Sequence, residues 1–145
     1  MTHLKQTVVG VPKETYPGET LVALIPSHVP LLTKIGLQVV VESGAGEGAG
    51  FDDEAYRIKG ARVARDRSEL FASAEILLQV RTLGANFDKG RDDLALLRSD
   101  HVLIGLADPL GRPEATRALA HLGVTLFAME LMPRLARAQS MDVLS

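Results

Sequence analysis

The sequence predicts an α/β fold, in which a mostly parallel sheet is flanked by helices. Short apolar runs alternate with segments of helical period along the chain, a pattern typical of parallel strands joined by crossover helices. The runs at 75–80 and 101–107 are mostly apolar, as expected for buried strands of such a sheet. With 145 residues, 46% of them hydrophobic, the chain is long enough for one domain and too short for two comfortable ones.

The first half of the chain is expected to supply three strands and two helices. Pro12 closes the first strand because its ring cannot donate to a sheet ladder. Gly36 ends the first helix, and the second has acidic residues at its start and Lys59 at its end, as the helix dipole favours. We expect strands at 7–11, 37–42 and 61–64, and helices at 26–35 and 52–59.

The second half continues the alternation. Pro113 suits the first turn of a helix, and Gly123 lies where a C-terminal cap belongs. Residues 83–90 have the composition of a loop. We expect one or two helical turns at 68–73, strands at 75–80, 101–107 and 124–129, and helices at 92–98 and 114–122.

A glycine-rich run follows the second strand and literally contains a dinucleotide-binding fingerprint. The fingerprint positions fall on Gly44, Gly46 and Ala49, and Asp66 lies at about the distance of the acid that binds ribose. The glycines continue, however, so the helix should begin only near Asp52, past the point where its amide terminus would meet a pyrophosphate. We therefore favour the alternative, a loop whose glycines let the backbone turn tightly and approach a neighbour.

Three charged residues follow the last strands of the predicted sheet. Arg81, Asp108 and Glu130 each come at or just after the end of a strand, so they should meet at the carboxyl edge, where open α/β sheets bind ligands. Arg81 is a candidate contact to an anion, with an ordinary surface arginine as the alternative. None of the histidines has a second ligand at metal-binding spacing, so we expect no metal site and interpret all four as surface or helix-end residues: His3, His28, His101 and His121.

The composition argues against several classes of partner. The formal net charge is −2, and both signs are mixed along the chain, so neither a nucleic-acid stripe nor a polybasic membrane patch is indicated. There is no cysteine, which excludes disulfides and thiolate metal sites and agrees with a reducing cytosol. No apolar run approaches the roughly 20 residues of a spanning helix, and the first residues lack a signal-peptide core. We expect no direct membrane insertion.

The last thirteen residues, 133–145, form a polar segment after an apolar strand. Guanidinium groups can clamp phosphate or carboxamide oxygens, and a carboxylate can accept from a ribose hydroxyl, so the segment suits the polar parts of a nucleotide. From spacing alone, the favoured interpretation is a helix cap by Asp142 or Ser140 with solvated arginines. The polar side chains are Arg134, Arg137, Gln139, Ser140, Asp142 and Ser145.

This segment, with the pattern PRxxRAQSMDxLS, resembles the mobile nucleotide-contacting loop of the alpha subunit of proton-translocating NAD(P) transhydrogenase. The similarity extends over the whole chain through residues 10–14, 22–26 and 44–46, and it identifies the chain as a member of the alanine dehydrogenase/transhydrogenase N-terminal family. The resemblance implies a Rossmann-like or flavodoxin-like three-layer domain over 1–132. It also implies that 133–145 is the nucleotide-contacting loop and the start of a linker to an NAD-binding domain.

The same resemblance implies the activity: hydride transfer between NADH and NADP, coupled to proton translocation. NAD(H) would be bound mainly by the second domain, and NADP(H) by another component. The implied partners are the NAD-binding domain of the parent chain and other transhydrogenase subunits, in a homodimer that is cytoplasmic and peripheral to a membrane-embedded complex. No catalytic acid or base is needed, because the cofactors carry the chemistry. The residues carried over as contacts to the nicotinamide end are Arg134, Gln139, Asp142 and Ser145.

Two alternatives remain. The chain could be a non-catalytic fragment or interaction module with a partly bare, apolar sheet face, and we expect the isolated chain to be inactive. It could also be the substrate domain of an alanine dehydrogenase, but the resemblance itself speaks against this. The substrate-binding arginine of that enzyme falls at Leu21 and its catalytic histidine at Asp108, and only its lysine has a basic counterpart, Arg81. A 2-oxo acid would lose its bidentate partner, and no imidazole would transfer a proton.

Overall fold

A computed structural model describes residues 6–132 of the chain and contains a single six-stranded sheet, parallel throughout. The predicted α/β class with a mostly parallel sheet is confirmed. The strand order is β3-β2-β1-β4-β5-β6, which is the doubly wound order of Rossmann-type folds. The strands are β1 (Val8–Val11), β2 (Gln38–Glu42), β3 (Arg62–Ala64), β4 (Ile76–Arg81), β5 (Val102–Leu106) and β6 (Thr125–Ala128).

Within residues 6–132, five short α-helices connect the strands: α1 (Val29–Thr33), α2 (Asp53–Ile58), α3 (Arg67–Ser73), α4 (Phe87–Gly90) and α5 (Pro113–His121). Asp52 and Asp66 cap α2 and α3 by accepting the amides of Ala55 and Glu69. Asp66, the acid that the glycine fingerprint would have required, therefore has a capping role.

Two expectations for the helices were wrong. Residues 83–90 are not an open loop, because a 3-10 turn, Leu83–Ala85, and α4 occupy this stretch. The helix expected at 92–98 is instead the 3-10 helix Arg91–Leu96. The charges that favour a helix there are present, but Asp93 turns inward to pair with Arg67.

The strand order reverses between β1 and β4, so right-handed crossovers place the early helices on one face and the later helices on the other. Each face has its own buried core. One core packs α1 and α2 against β1 and β2, with Val11, Val29, Val39, Val41 and Tyr56 among its members. The other packs α3 and α5 against the sheet, with Leu70, Phe71, Leu77, Leu103 and Leu119.

The sheet is covered unevenly. Every residue of β1 is buried, as are the three central residues of β2, because helices lie on both faces there. In β4 and β5 only alternate or single residues are buried, and Phe127 of the edge strand β6 is 58% exposed. The face of β4–β6 on the side of α1 and α2 is therefore only partly covered.

His101 is not a surface residue, contrary to the sequence-based expectation, because its side chain is fully buried just before β5. Its Nδ1 accepts the amide of Arg98 at 2.9 Å, so Nε2 carries the proton and donates to the carbonyl of Phe71 at 2.9 Å. Both ring nitrogens therefore have hydrogen-bond partners, and the imidazole links the turn before β5 to α3. His28 and His121 are exposed, as expected, whereas His3 lies outside the described residues.

Within residues 6–132, no helix is long and apolar enough to cross a membrane. The same residues contain no cluster of three or more histidine and acidic side chains able to hold a metal ion.

Candidate functional site

The candidate site is a cavity of about 690 Å³ at the carboxyl edge of β4 and β5. Its volume lies in the range of small-ligand pockets. The three charged residues predicted to meet at this edge, Arg81, Asp108 and Glu130, do line one cavity. Tyr16, Asn86, Phe87, Lys89, Leu106 and Arg112 complete most of its wall.

Arg81 is partly committed to structural contacts. Its Nε donates to Glu19 at 2.9 Å, and its guanidinium carbon lies 4.0 Å from the centroid of the Tyr16 ring. Burial tends to raise the pKa of Glu19, but the Leu21 amide and Arg81 outweigh it and hold that pKa below its usual value. The charge of Arg81 is thus largely balanced by Glu19, which makes it a weak candidate for binding a further anion.

The other side of the cavity combines aromatic, cationic and amide groups. The guanidinium carbons of Arg112 and Arg91 lie 4.8 and 5.3 Å from the centroid of the Phe87 ring. Asn86 is 7% exposed, and its Nδ2 donates to the Thr15 hydroxyl at 2.8 Å. Asn86 and Phe87 were missed by sequence analysis because residues 83–90 were interpreted as a plain loop.

The end of β5 is held by a carboxylate. Glu130 accepts the amide of Ala107 at 3.0 and 3.1 Å through its two oxygens, and the amide of Asp108 at 3.1 Å. Asp108 has a left-handed backbone, with φ of 43°, and its side chain accepts the amide of Gly111 at 3.2 Å. Asp108 is therefore part of a tight turn in the cavity wall.

A second acid lies where the strand order reverses, between β1 and β4. Glu14 follows β1, and its two carboxyl oxygens accept the amides of Val80 at 2.9 Å and Arg81 at 3.0 Å. Burial raises the pKa of Glu14, although these two hydrogen bonds act to lower it. The signal for Glu14 was available in the sequence, as an acid three residues after the end of β1, but only the topology places it at the crossover point.

An ion-pair network lies at the carboxyl edge of the sheet on the side of β2 and β3. Arg67 donates to both oxygens of Asp93, at 2.6 and 2.8 Å, and to Glu42 at 3.0 Å. The same guanidinium donates to the Lys13 carbonyl at 2.7 Å. Burial by itself would lower the pKa of Arg67, but the bonds to Asp93 and Glu42 prevail and raise it. The network fixes the loop after β1 to α3.

The glycine-rich run has no geometry for binding a phosphate. The amide of Gly44 donates to Asp53 at 2.9 Å, and the amides of Glu47 and Phe51 donate to carbonyls within the run. A side chain at Gly46 would place its Cβ 2.7 Å from the Tyr56 ring, so glycine there permits close packing. The helix begins at Asp53, as the alternative interpretation required.

The four predicted contact residues, Arg134, Gln139, Asp142 and Ser145, lie outside the described residues. Leu21, which the resemblance to alanine dehydrogenases singled out, is half exposed and borders a separate apolar cavity of about 390 Å³. That cavity lies against the partly covered face of β4 and β5, with Leu78, Val80, Ile104 and Leu106 in its wall.

Comparison with known proteins gives concordant results. The first part of the NAD(P) transhydrogenase alpha subunit of Rhodospirillum rubrum is 39% identical over 138 residues, covering 94% of this chain and 35% of the relative. The alanine dehydrogenase of Bacillus subtilis is 35% identical over 123 residues, covering 85% of this chain and 31% of the enzyme. The crystal structure of transhydrogenase from Sinorhizobium meliloti matches with a TM-score of 0.84 and 42% identity, covering 94% of this chain and 39% of that one.

The chain spans between 25% and 35% of the length of the curated transhydrogenase relatives it matches. The family model described as alanine dehydrogenase/PNT, N-terminal domain, matches residues 10–145. With this match and a Rossmann-like parallel sheet, the chain belongs to the alanine dehydrogenase/transhydrogenase N-terminal domain family.

Proposed function

We propose that this chain is the N-terminal part of the NAD(H)-binding component of a transhydrogenase, in which hydride passes between NADH and NADP, coupled to proton translocation. The observation that carries the proposal is the similarity to transhydrogenase alpha subunits over 94% of the chain, at 37–39% identity for two of them. In the proposed complex, a further domain of the parent protein holds most of NAD(H), and another component holds NADP(H). The N-terminal domain is residues 1–132, followed by a nucleotide-contacting loop at 133–145.

The reaction requires this domain only to position the nucleotide for hydride transfer. A hydride leaves the dihydronicotinamide ring of NADH and is taken by the nicotinamide ring of NADP⁺, so one nucleotide is oxidised and the other reduced with no proton exchanged with a side chain. Two charged groups of the cavity agree with this requirement, since they are engaged in fixing loops: Arg81 with Glu19, and Glu130 with two amides. In the proposal, Arg134, Gln139, Asp142 and Ser145 contact the nicotinamide end and hold it for transfer.

The alanine dehydrogenase alternative is disfavoured by the same geometry. Its proton-transferring imidazole is replaced by Asp108, whose carboxylate serves a turn, and its guanidinium by Leu21 beside an apolar cavity. A non-catalytic interaction module is the second candidate, favoured by the partly covered face of β4–β6.

The test uses Arg134→Ala and Gln139→Ala in the complete transhydrogenase. We expect each to lower the rate of hydride transfer by about tenfold or more, because small displacements of the reacting rings are costly. Arg65→Ala is the matched control, since Arg65 is 90% exposed and pairs with Glu69 on the opposite part of the sheet. Unchanged transfer rate and unchanged NADH affinity in both loop variants would refute the assignment of this loop.

A further inference from the structure

Glu130 is attached to the neighbouring strand in a way that a solvent-facing acid does not require. It lies in the 3-10 turn Met129–Leu131, which directly follows the edge strand β6. Its carboxylate reaches back to β5 and accepts two successive amides, those of Ala107 and Asp108, at 3.0–3.1 Å. Two adjacent backbone N–H groups that point at one anion form a concave anion site, and here the anion belongs to the chain itself.

Apart from the apolar contact of Met129 with the cavity wall at β5, the turn that carries Glu130 has few other restraints. Leu131 and Met132 are 61% and 38% exposed, and the regular pairing of β6 with β5 ends at Ala128. Within residues 6–132, the turn's other hydrogen bond is internal, from the Met132 amide to the Met129 carbonyl. The Glu130 carboxylate is therefore the polar contact that fixes this turn to the sheet.

The partner side of the contact is rigid. The amide and hydroxyl of Thr82 both donate to the Leu106 carbonyl, at 2.8 and 2.9 Å, and Thr82 is 1% exposed. A Cβ at Gly84 would lie 1.7 Å from the Ala107 carbonyl oxygen, so the two loops approach as closely as glycine allows. Glu130 thus docks the end of β6 on a firmly held point of the carboxyl edge.

We infer that Glu130 is a positioning residue that sets the place and direction in which the chain leaves the sheet toward residues 133–145. The inference rests on the proposed function, in which that segment aligns the nicotinamide end for hydride transfer. What matters is the reach of the carboxylate to both amides; its charge is secondary. Removal of the contact frees the turn to pivot about Ala128 and displaces Leu131 and Met132, the residues that precede 133.

The test compares Glu130→Asp, which keeps the charge but shortens the side chain by one methylene, with Glu130→Gln, which keeps the reach and an acceptor oxygen. In the complete transhydrogenase we expect Glu130→Asp to lower kcat for hydride transfer by about tenfold with less than about a twofold change in the KM for NADH, because alignment is lost while binding is retained. Glu130→Gln should stay within about threefold of the unsubstituted protein, since one oxygen can accept from both amides. Glu54→Asp on α2, an exposed acid paired with Arg57, is the control.

A second measurement is made on the chain itself. Amide hydrogen exchange at Ala107 and Asp108 should be faster in Glu130→Asp than in Glu130→Gln. If exchange is faster but kcat is unchanged, or if Gln is more harmful than Asp, the positioning role is refuted. Arg134→Ala and Gln139→Ala are measured in parallel. If neither substitution affects hydride transfer, the proposed function fails together with this inference. If they do affect it and Glu130→Asp does not, the Glu130 inference alone is refuted.

Discussion

Tyr56→Phe should destabilise the domain at neutral pH and remove a sensitivity to alkaline pH. Tyr56 is fully buried, and its hydroxyl donates to the Leu24 carbonyl at 2.8 Å. The substitution leaves that carbonyl without its donor, which costs about 1–3 kcal/mol of the free energy of unfolding. The hydroxyl links α2 to the segment before α1, so its loss should weaken the packing of the core that contains α1 and α2.

The pH dependence follows from the pKa of the same group. Burial, with a smaller contribution from Asp53, raises the pKa of Tyr56 to about 12, compared with 10.0 for an exposed tyrosine. The unfolded chain therefore releases this proton first, and the contribution to stability is complete below pH 10 and lost as the pH rises towards 12. At pH 11.5 the loss amounts to about 2 kcal/mol, so the parent protein and the Phe variant should become nearly equal in stability.

The assay is urea denaturation followed by circular dichroism, at intervals between pH 7 and pH 11.5, for both proteins. Lysines and the remaining tyrosine also titrate in this range, but they are common to both proteins, so their contributions cancel in the difference in unfolding free energy. A difference in unfolding free energy that stays constant over the whole range would refute the argument, because it would mean that the hydroxyl ionises equally in the folded and unfolded states.

Three further predictions follow. Asp53→Asn should destabilise the chain by about 1–2 kcal/mol at pH 7; the amide of Gly44 lowers the pKa of Asp53 below 3.8, so the effect should shrink as the pH falls below that value in denaturation experiments. Arg67→Met should cost about 3–5 kcal/mol because it leaves the buried Asp93 without its cation. The double substitution with Asp93→Leu should recover only part of the loss in the same assay, because Glu42 still lacks its guanidinium partner. The partly covered face of β4–β6 should cause the isolated chain to self-associate; sedimentation velocity should show less association for Phe127→Thr, and a strictly monomeric parent protein at high concentration would contradict this.

The sheet was predictable because its strands have a strong local signal. Runs such as 101–107 combine apolar composition with clear boundaries, and each observed strand end lies within one residue of the expected one. The strand order could not be obtained in the same way, because it depends on the reversal between β1 and β4. That reversal is set by packing of helices on opposite faces, which involves residues distant in sequence.

The candidate site was predictable only in part. Arg81, Asp108 and Glu130 follow strands, so their meeting at one edge is a consequence of a parallel sheet. What they do there was not predictable, because it depends on partners such as Glu19 and the amide of Ala107. The burial of His101 was missed for a related reason, since its partners are backbone groups that leave no trace in the sequence.

The position of Glu14 has a consequence for how any dinucleotide can approach this domain. In doubly wound sheets, the crevice at the reversal of strand order is the usual seat of a pyrophosphate, which needs free amides and no nearby negative charge. Here the amides of Val80 and Arg81 already serve an internal carboxyl group, and Glu19 lies close enough to influence it electrostatically. The phosphates of a ligand are therefore disfavoured between β1 and β4, whereas an end without negative charge meets no such repulsion at this position.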